Sequence, residues 1–294
     1  MSKTSRNEIV SLGCSFTDEN FKSNIVPVDY PDEIKGGWPM WPELFTKMLS
    51  EKDGVEYKNV NLGKSGSGMD YCYTELASYW SKNNSKIKVV LWGGSSWLRF
   101  HHFVNNHNLN LAMYADKDAV NLNGRYASGY RKITKSFGVD EYMEYIVKST
   151  KEDTVFLKQG RINLNKLLMV RDLCKSNDVI FMYYNLLMPL ALGKCSLMGG
   201  RETPIYSADQ LMLLKNSDVE AWKLITNSRE NFIGLNVYND WVSWTQKAQN
   251  KYFGTEVGWE LRHNKEWPNQ DRHPSPHGQQ LIANDFYNHY DKYF

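Results

Sequence analysis

The sequence predicts an α/β protein in which a parallel sheet is wound with helices. Short apolar runs suited to buried strands alternate along the chain with longer segments of helical periodicity. Several of these runs end at a glycine or at a turn rich in glycine and serine. The repeated order of strand, turn and helix favours a parallel sheet with helical crossovers.

Four apolar runs are predicted as strands. Residues 9–12 form a short run that ends at Gly13, and residues 87–92 form the strongest run, which ends at Gly93. Residues 57–62 and 178–187 complete the set. A weaker pattern at 231–235 predicts a last strand.

Helices are predicted between and after these strands, including segments at 140–149, 208–214, 219–226 and 240–249. Pro42 suits a first helical turn, and the apolar residues after it predict an amphipathic helix that ends near Ser50. A second helix follows the glycine-rich turn at 63–68, and residues 161–176 carry apolar side chains at helical spacing. A helix after Gly278 is expected to pack back on the sheet.

The length and composition predict one domain over residues 1–294. No linker or low-complexity segment divides the chain. The periodic pattern weakens at about 101–151 and again at about 189–207. We interpret both stretches as loop insertions over the carboxyl edge of the sheet, where substrate specificity usually resides.

Charge and cysteine content narrow the expected partners. Lys and Arg number 35 against 33 Asp and Glu, so the formal charge of +2 predicts neither a nucleic-acid partner nor a membrane partner. The four cysteines show no metal-binding or disulfide spacing, and no signal peptide is visible, so we expect reduced thiols in the cytoplasm. Composition leaves the oligomeric state open.

Ser15 is the first candidate for chemistry. It follows the apolar run and Gly13, which places its hydroxyl at the carboxyl end of a predicted strand. Open α/β sheets carry their active sites at that edge. Taken alone, the pattern equally fits a strand followed by a capping serine.

A second candidate lies near the other end of the chain, where Asp271 and His273 precede Pro274. Proline holds the preceding residue away from helical geometry, and an imidazole on a rigid loop suits a general base. Asp271, His273 and His277 are an alternative set of metal ligands. Because no further cysteine or carboxylate cluster accompanies them, we predict no metal and no cofactor.

The glycine-rich turn at 63–68 points backbone N–H groups toward one place at the start of a helix. Such a turn suits a phosphate or a developing oxyanion. The spacing does not match the nucleotide-binding G-x-x-x-x-G-K-[ST] motif, which makes a nucleotide the weaker interpretation.

Together these turns resemble the blocks of the SGNH, or GDSL-type, hydrolase family. Residues 13–17, Gly-Cys-Ser-Phe-Thr, resemble the family's G-D-S-x-[ST] block, and residues 61–66 resemble its N-x-G-x-x-G block. Residues 93–96 correspond to its G-x-N-D block, and residues 271–274 to its D-x-x-H-P block. The turns follow the family's order over nearly the whole chain, and the first and last are the specific ones.

The resemblance implies a three-layer α/β/α sandwich with a flavodoxin-like parallel sheet and a serine esterase site. By that resemblance Ser15 is the nucleophile, His273 the general base and Asp271 the group that orients the imidazole. The backbone N–H groups of Ser15 and Gly66 would meet the oxyanion.

Three positions depart from the family pattern. Cys14 replaces the acidic residue beside the nucleophile, and Ser95 stands in place of the oxyanion asparagine. Asp271 lies two residues before His273, where the family has three. The serine-rich third block ending in Arg99 is similar to that of bacteriophage and environmental relatives. We interpret Arg99 as a structural clamp or as a contact for an anionic substrate.

The expected function is therefore hydrolysis of a short acyl ester, acetyl by the habit of the family, on a carbohydrate or similar polar small molecule. The altered third block motivates one alternative, a non-catalytic module that binds glycans or a partner protein. A second alternative keeps the acyl-enzyme but passes the acyl group to an acceptor hydroxyl in place of water.

Overall fold

Within the described residues, the four predicted apolar strands alternate with helices, and four further strands are present. The elements are β1 (Glu8–Leu12), α1 (Trp41–Asp53), β2 (Lys58–Asn61), α2 (Met69–Asn83), β3 (Ile87–Gly94), β4 (Arg99–Val104), β5 (His107–Ala112), α3 (Asp153–Lys175), β6 (Ile180–Asn185), β7 (Cys195–Ser196), β8 (Glu202–Thr203) and α4 (Pro276–Tyr293). The computed structural model describes residues 6–20, 39–65, 67–94, 99–104, 107–112, 153–186, 195–196, 202–203, 216, 220, 223–224, 227–233 and 276–294.

The centre of the fold is a four-stranded parallel sheet in the order β2-β1-β3-β6. Val10 of β1 lies opposite Val60 on one side and Val90 on the other, so β1 and β3 are the inner strands. This is the order of a flavodoxin-like doubly wound sheet. The predicted α/β class is confirmed.

Phe232 extends the sheet at the place where a last strand was predicted. It forms a single parallel bridge to Tyr183 of β6. The Tyr183 N–H donates to the Asn231 carbonyl at 2.7 Å, and the Ile233 N–H donates to the Tyr183 carbonyl at 2.9 Å. Within 227–233 the chain therefore passes alongside β6 in the fifth position of the sheet.

Helices cover both faces of the sheet and make three layers. On one face, α2 and α3 bury Leu76 and Leu167 against Val10, Val90 and Phe181. The other face carries α1 and α4, whose buried side chains include Trp41, Phe45, Leu49, Ile282, Phe286 and Tyr290. Because side chains alternate along each strand, neighbouring strand residues supply the two cores in turn.

Helix α1 shows why its ends lie where they do. Pro42 stands in the first turn, where a missing N–H costs nothing, and Gly54 ends the helix in the left-handed conformation with φ 64°. The Gly54 position therefore suits glycine. Trp41 stacks on Phe286 of α4 with ring centroids 4.4 Å apart, which joins the two helices of this layer.

The structure differs from the sequence predictions mainly in helix length and in two antiparallel strand pairs, of which β7 with β8 lies in the predicted loop at about 189–207. Helix α3 begins at Asp153, eight residues before the predicted start at 161, because helical geometry continues into a less periodic segment. Strands β4 and β5 pair as an antiparallel hairpin, with Arg99 opposite Ala112, where the sequence predicted only the start of an insertion. Among the described residues, no helix combines the length and apolar character that crossing a membrane requires.

Candidate active site

Ser15 lies in a tight turn at the carboxyl end of β1, as predicted. The Cys14 carbonyl accepts hydrogen bonds from the N–H groups of Thr17 at 2.9 Å and Asp18 at 3.0 Å, which curls the chain directly after the strand. Ser15 is 6% exposed, whereas Cys14 is 0% exposed and belongs to the core under α1 and α4. This burial separates the Cys14 thiol from solvent.

The topology places this turn at the switch point of the sheet. From β1 the chain proceeds to α1 on one face, and from β3 it proceeds to α3 on the other face. Two adjacent parallel strands whose connections diverge leave a crevice at their carboxyl ends, and doubly wound sheets bind ligands there. Ser15 follows one of these two strands, and the Gly93–Gly94 pair ends the other.

The turn after β2, residues 61–67, is hydrogen-bonded to the Ser15 turn at several points. The Gly13 carbonyl accepts from the Lys64 N–H at 3.0 Å and from the Ser67 hydroxyl at 2.7 Å. The Asn61 side-chain amide donates to the Thr17 carbonyl at 2.6 Å. These bonds hold two turns that lie far apart in sequence in one fixed relation.

Asp18 adds a charged link between the same two turns. One oxygen of its carboxylate accepts the Ser65 N–H at 2.7 Å, and the other accepts the Asn20 N–H at 2.9 Å. The residue is 7% exposed. A buried carboxylate needs such donors, because an unpaired one would cost several kcal/mol.

Thr17 is the side chain around which three turns pack. A Cβ added to Gly93 would lie 3.1 Å from Thr17 Oγ1, and a Cβ added to Gly63 would lie 2.8 Å from Thr17 Cβ. A Cβ on Gly13 would also meet Thr17, and it would lie 2.8 Å from the Gly93 carbonyl oxygen. Trp41 Nε1 donates to Thr17 Oγ1 at 3.3 Å. The close approach of Thr17 and neighbouring buried groups therefore explains the glycine that each of these turns carries.

Helix α4 is tied to the Ser15 turn through Gln279. The Gln279 amide donates to the Phe16 carbonyl at 3.3 Å, and its oxygen accepts the Trp41 N–H at 2.9 Å. This side chain is 1% exposed, and it supplies a partner for one of the unpaired N–H groups that begin α1. The carboxyl-terminal helix and the first turn of the chain thus meet in space.

The electrostatics near the glycine-rich turn are set by burial. Desolvation raises the pKa of the Cys72 thiol to about 12, so this cysteine is protonated at neutral pH and has no nucleophilic thiolate. Burial likewise raises the pKa of Tyr71 to about 12. Lys64 lies over the Tyr71 ring, 5.4 Å from its centroid. In the part of the chain that the structure describes, no group of acids, histidines and cysteines could hold a metal ion.

The remaining predicted site residues lie outside the described residues, except for Arg99. They are Gly66, Ser95, Asp271 and His273. Arg99 is the first residue of β4, with a described backbone only. The structure therefore places Ser15 and the neighbours of Gly66, and the assembly of the triad stays a prediction.

Sequence reasoning missed Asp18 and Gln279 as residues of this site. Both act on backbone groups distant in sequence, so no local motif marks them. A signal was available for Gln279, since an amide side chain in the first turn of a helix that packs on the sheet must find partners when it is buried. For Asp18 the signal was an acid directly after the Ser15 turn.

Comparison with known proteins gives matches among solved structures only. No family model and no curated protein matches the chain. A GDSL-like lipase from Bacteroides thetaiotaomicron is 10% identical at a TM-score of 0.41, with 100% of this chain and 93% of that chain covered. An acetyl xylan esterase is 13% identical at 0.42, covering 96% and 98%. A lipase from a goat rumen metagenome is 11% identical at 0.44, covering 96% and 97%. At TM-scores below 0.5, these similarities assign no activity to the chain.

Proposed function

We propose that this chain is a serine ester hydrolase that removes a short acyl group from a carbohydrate or similar polar substrate through an acyl-enzyme on Ser15. The observation that carries the proposal is the contact between α4 and the turn that contains Ser15. Gln279 of α4 bonds the carbonyl of Phe16, the residue next to Ser15. That contact supports the proposal, because the segment that contains His273 directly precedes α4 in the sequence.

Chain length supports the pairing of Ser15 with His273. His273 precedes Gln279 by six residues, and the last three of these steps belong to α4. The backbone between them spans at most roughly 15 Å. A segment of that length allows the His273 imidazole to reach the Ser15 hydroxyl, so the spacing is compatible with the proposed pairing. Asp271 lies two residues before His273 in the same segment, where it would orient the imidazole ring.

The proposed reaction has two steps. The Ser15 hydroxyl oxygen attacks the ester carbonyl carbon while its proton passes to His273, and the resulting oxyanion is met by the N–H groups of Ser15 and Gly66. His273 then returns the proton to the leaving alcohol as the ester C–O bond breaks. Water repeats the attack on the acyl-enzyme, with its proton passing through His273 to the Ser15 oxygen, and the acid departs.

Ser95 and Arg99 complete the proposal at the end of β3 and the start of β4. Both follow the strand whose carboxyl end borders the Ser15 turn. In this arrangement a Ser95 hydroxyl would supply the third donor to the oxyanion. Arg99 would bind an anionic group of the substrate or clamp a backbone carbonyl.

The proposal is tested by hydrolysis of p-nitrophenyl acetate with purified wild-type protein and Ser15→Ala. We expect the variant to lose activity by about a thousandfold or more, because nucleophile removal leaves only binding and oxyanion stabilisation. Ser11→Ala is the matched control. The Ser11 hydroxyl is buried and has no hydrogen-bond partner in the described part of the chain, so its removal should leave folding and rate unchanged. Equal rates for Ser15→Ala and wild type would refute the hydrolase.

Two further measurements separate the alternatives. A fluorophosphonate probe should label Ser15 in the wild type and not in Ser15→Ala; a non-catalytic binding module would not be labelled at all. Product analysis with added sugar hydroxyls distinguishes transfer from hydrolysis, since a transferase would form the acylated sugar in preference to free acid.

A further inference from the structure

Asp18 is hydrogen-bonded to the glycine-rich turn at Ser65, the residue directly before Gly66. Its carboxylate accepts the Ser65 N–H at 2.7 Å, across 47 positions of sequence. The second oxygen accepts the Asn20 N–H at 2.9 Å, so both oxygens are engaged and the side chain has one preferred orientation. Its 7% exposure keeps water from competing for these bonds.

The bonds on either side of Gly66 define what Asp18 contributes. After Gly66, the Ser67 N–H donates to the Lys64 carbonyl at 3.0 Å and the Ser67 hydroxyl donates to the Gly13 carbonyl at 2.7 Å. Before Gly66, the bond to Asp18 holds the Ser65 N–H. A hydrogen bond to a carboxylate is shorter and stronger than one between neutral groups. Asp18 therefore fixes the Ser65 N–H relative to the Ser15 turn.

We propose that Asp18 is a positioning residue that holds the Ser15 turn in a fixed relation to Ser65, the residue before the proposed oxyanion donor Gly66. The inference rests on the proposed function, because it requires chemistry at Ser15. Oxyanion donors act only when they are held in place before charge develops, and a donor on a loose glycine turn would have to reorganise during the reaction. A carboxylate that joins the nucleophile turn to the donor turn provides that rigidity.

The primary test compares the wild type with Asp18→Asn and Asp18→Glu. Asparagine offers one acceptor oxygen where aspartate offers two, so it can satisfy only one of the two N–H donors. Glutamate keeps the charge but moves it by one methylene. We expect kcat for p-nitrophenyl acetate to fall by about ten- to a hundredfold in Asp18→Asn, up to the loss caused by removing a whole donor, with KM unchanged. Asp18→Glu should lie between the two.

A readout specific to the oxyanion is inhibition by phenylboronic acid, which forms a tetrahedral adduct on a catalytic serine. If Asp18 positions a donor, the inhibition constant should weaken by the same factor as kcat/KM falls, because the adduct mimics the transition state. A merely structural role would lower the melting temperature and leave the kcat of the folded fraction unchanged. That result, or full activity in both variants, would overturn the inference.

Asp53→Asn is the control for loss of a carboxylate that accepts two hydrogen bonds. Asp53 also accepts two hydrogen bonds, from Tyr57 and Lys88, each at 2.7 Å, but it lies at the amino end of the sheet. It should lose stability without losing kcat or boronate affinity. Failure of this inference is distinct from failure of the proposed function. An inactive Ser15→Ala with a fully active Asp18→Asn removes only the role of Asp18, whereas an active Ser15→Ala removes both.

Discussion

At the scale of single residues, the candidate site depends on glycines, which have no side chain. The turns after β1, β2 and β3 approach so closely that Thr17 occupies the space a Cβ would need at Gly13, Gly63 and Gly93. The sequence shows these glycines at strand ends, and a local interpretation assigns them to tight turns. Their shared cause is the convergence of three turns on one threonine, which no single motif displays.

Gly93→Ala should therefore destabilise the protein through overpacking. The new methyl would lie 2.6 Å from Leu186 Cδ1 and 3.0 Å from Trp41 Cζ2, inside van der Waals contact with two buried side chains. We expect the free energy of unfolding to fall by about 1–3 kcal/mol, measured by urea denaturation. Gly54→Asn is the control, because nothing lies within 4 Å of its Cβ and asparagine tolerates the left-handed conformation there. Equal losses in both variants would contradict the packing explanation.

The hydrogen bonds of Asp18 are a second feature at the scale of single residues. The sequence indicates Ser15 from the apolar run and Gly13, and the structure confirms its place at the end of β1. The sequence does not indicate Asp18, because the N–H group that it binds, that of Ser65, lies 47 positions away. Hydrogen bonds over that distance exist only once the sheet has formed.

At the scale of elements, the decisive contact is between the first turns of α4 and α1. Gln279 joins them by accepting the Trp41 N–H while it donates to the Phe16 carbonyl. The apolar periodicity of the last helix predicts that it packs on the sheet. The amide contact determines where along the sheet its first turn lies.

Gln279→Met should weaken this junction while keeping side-chain volume. Two buried backbone groups would lose their partner, and we expect the free energy of unfolding to fall by about 2–4 kcal/mol. The neighbouring Gln280→Met is the control. Gln280 is only partly buried and donates to Asn284 within α4, so its loss should cost less than about 1 kcal/mol. Chemical denaturation at pH 7 measures both, and a Gln279→Met protein as stable as wild type would show that the junction contributes nothing.

At the scale of the whole molecule, the two edges of the sheet differ in chemistry. The carboxyl edge carries the Ser15 turn and its backbone donors. The amino edge carries an ion pair in which Asp53 at the end of α1 accepts from Lys88 of β3 and from Tyr57. The hydrogen bond from Lys88 holds the pKa of Asp53 below its ordinary value. The ion pair and the Ser15 turn thus lie at opposite edges of the sheet.

The ion pair between Asp53 and Lys88 makes the free energy of unfolding depend on pH in the acid range. Because the folded-state pKa of Asp53 lies below its unfolded value, its contribution is complete at neutral pH and is lost as the pH falls through these two values. Because Asp53 is exposed and solvent screens its ion pair, Asp53→Asn should cost less than about 1 kcal/mol at pH 7, and the difference from wild type should shrink below about pH 5. The midpoints of urea denaturation of both proteins, measured from pH 7 to pH 3, give this difference in stability. In a Lys88→Met background the pH dependence of this difference should diminish, whereas a constant difference down to pH 3 would contradict the assignment.

The sequence by itself determined the α/β class, the order of the strands and helices, and the placement of Ser15 at a strand end. These follow from local apolar periodicity, glycine and proline, which act within a few residues. Only the tertiary structure decided that β1 and β3 are inner neighbours, that three glycine turns meet at Thr17, and that Asp18 and Gln279 tie distant segments to Ser15. Those facts depend on backbone groups far apart in sequence, whose partners are fixed when the sheet and its two helical layers pack together.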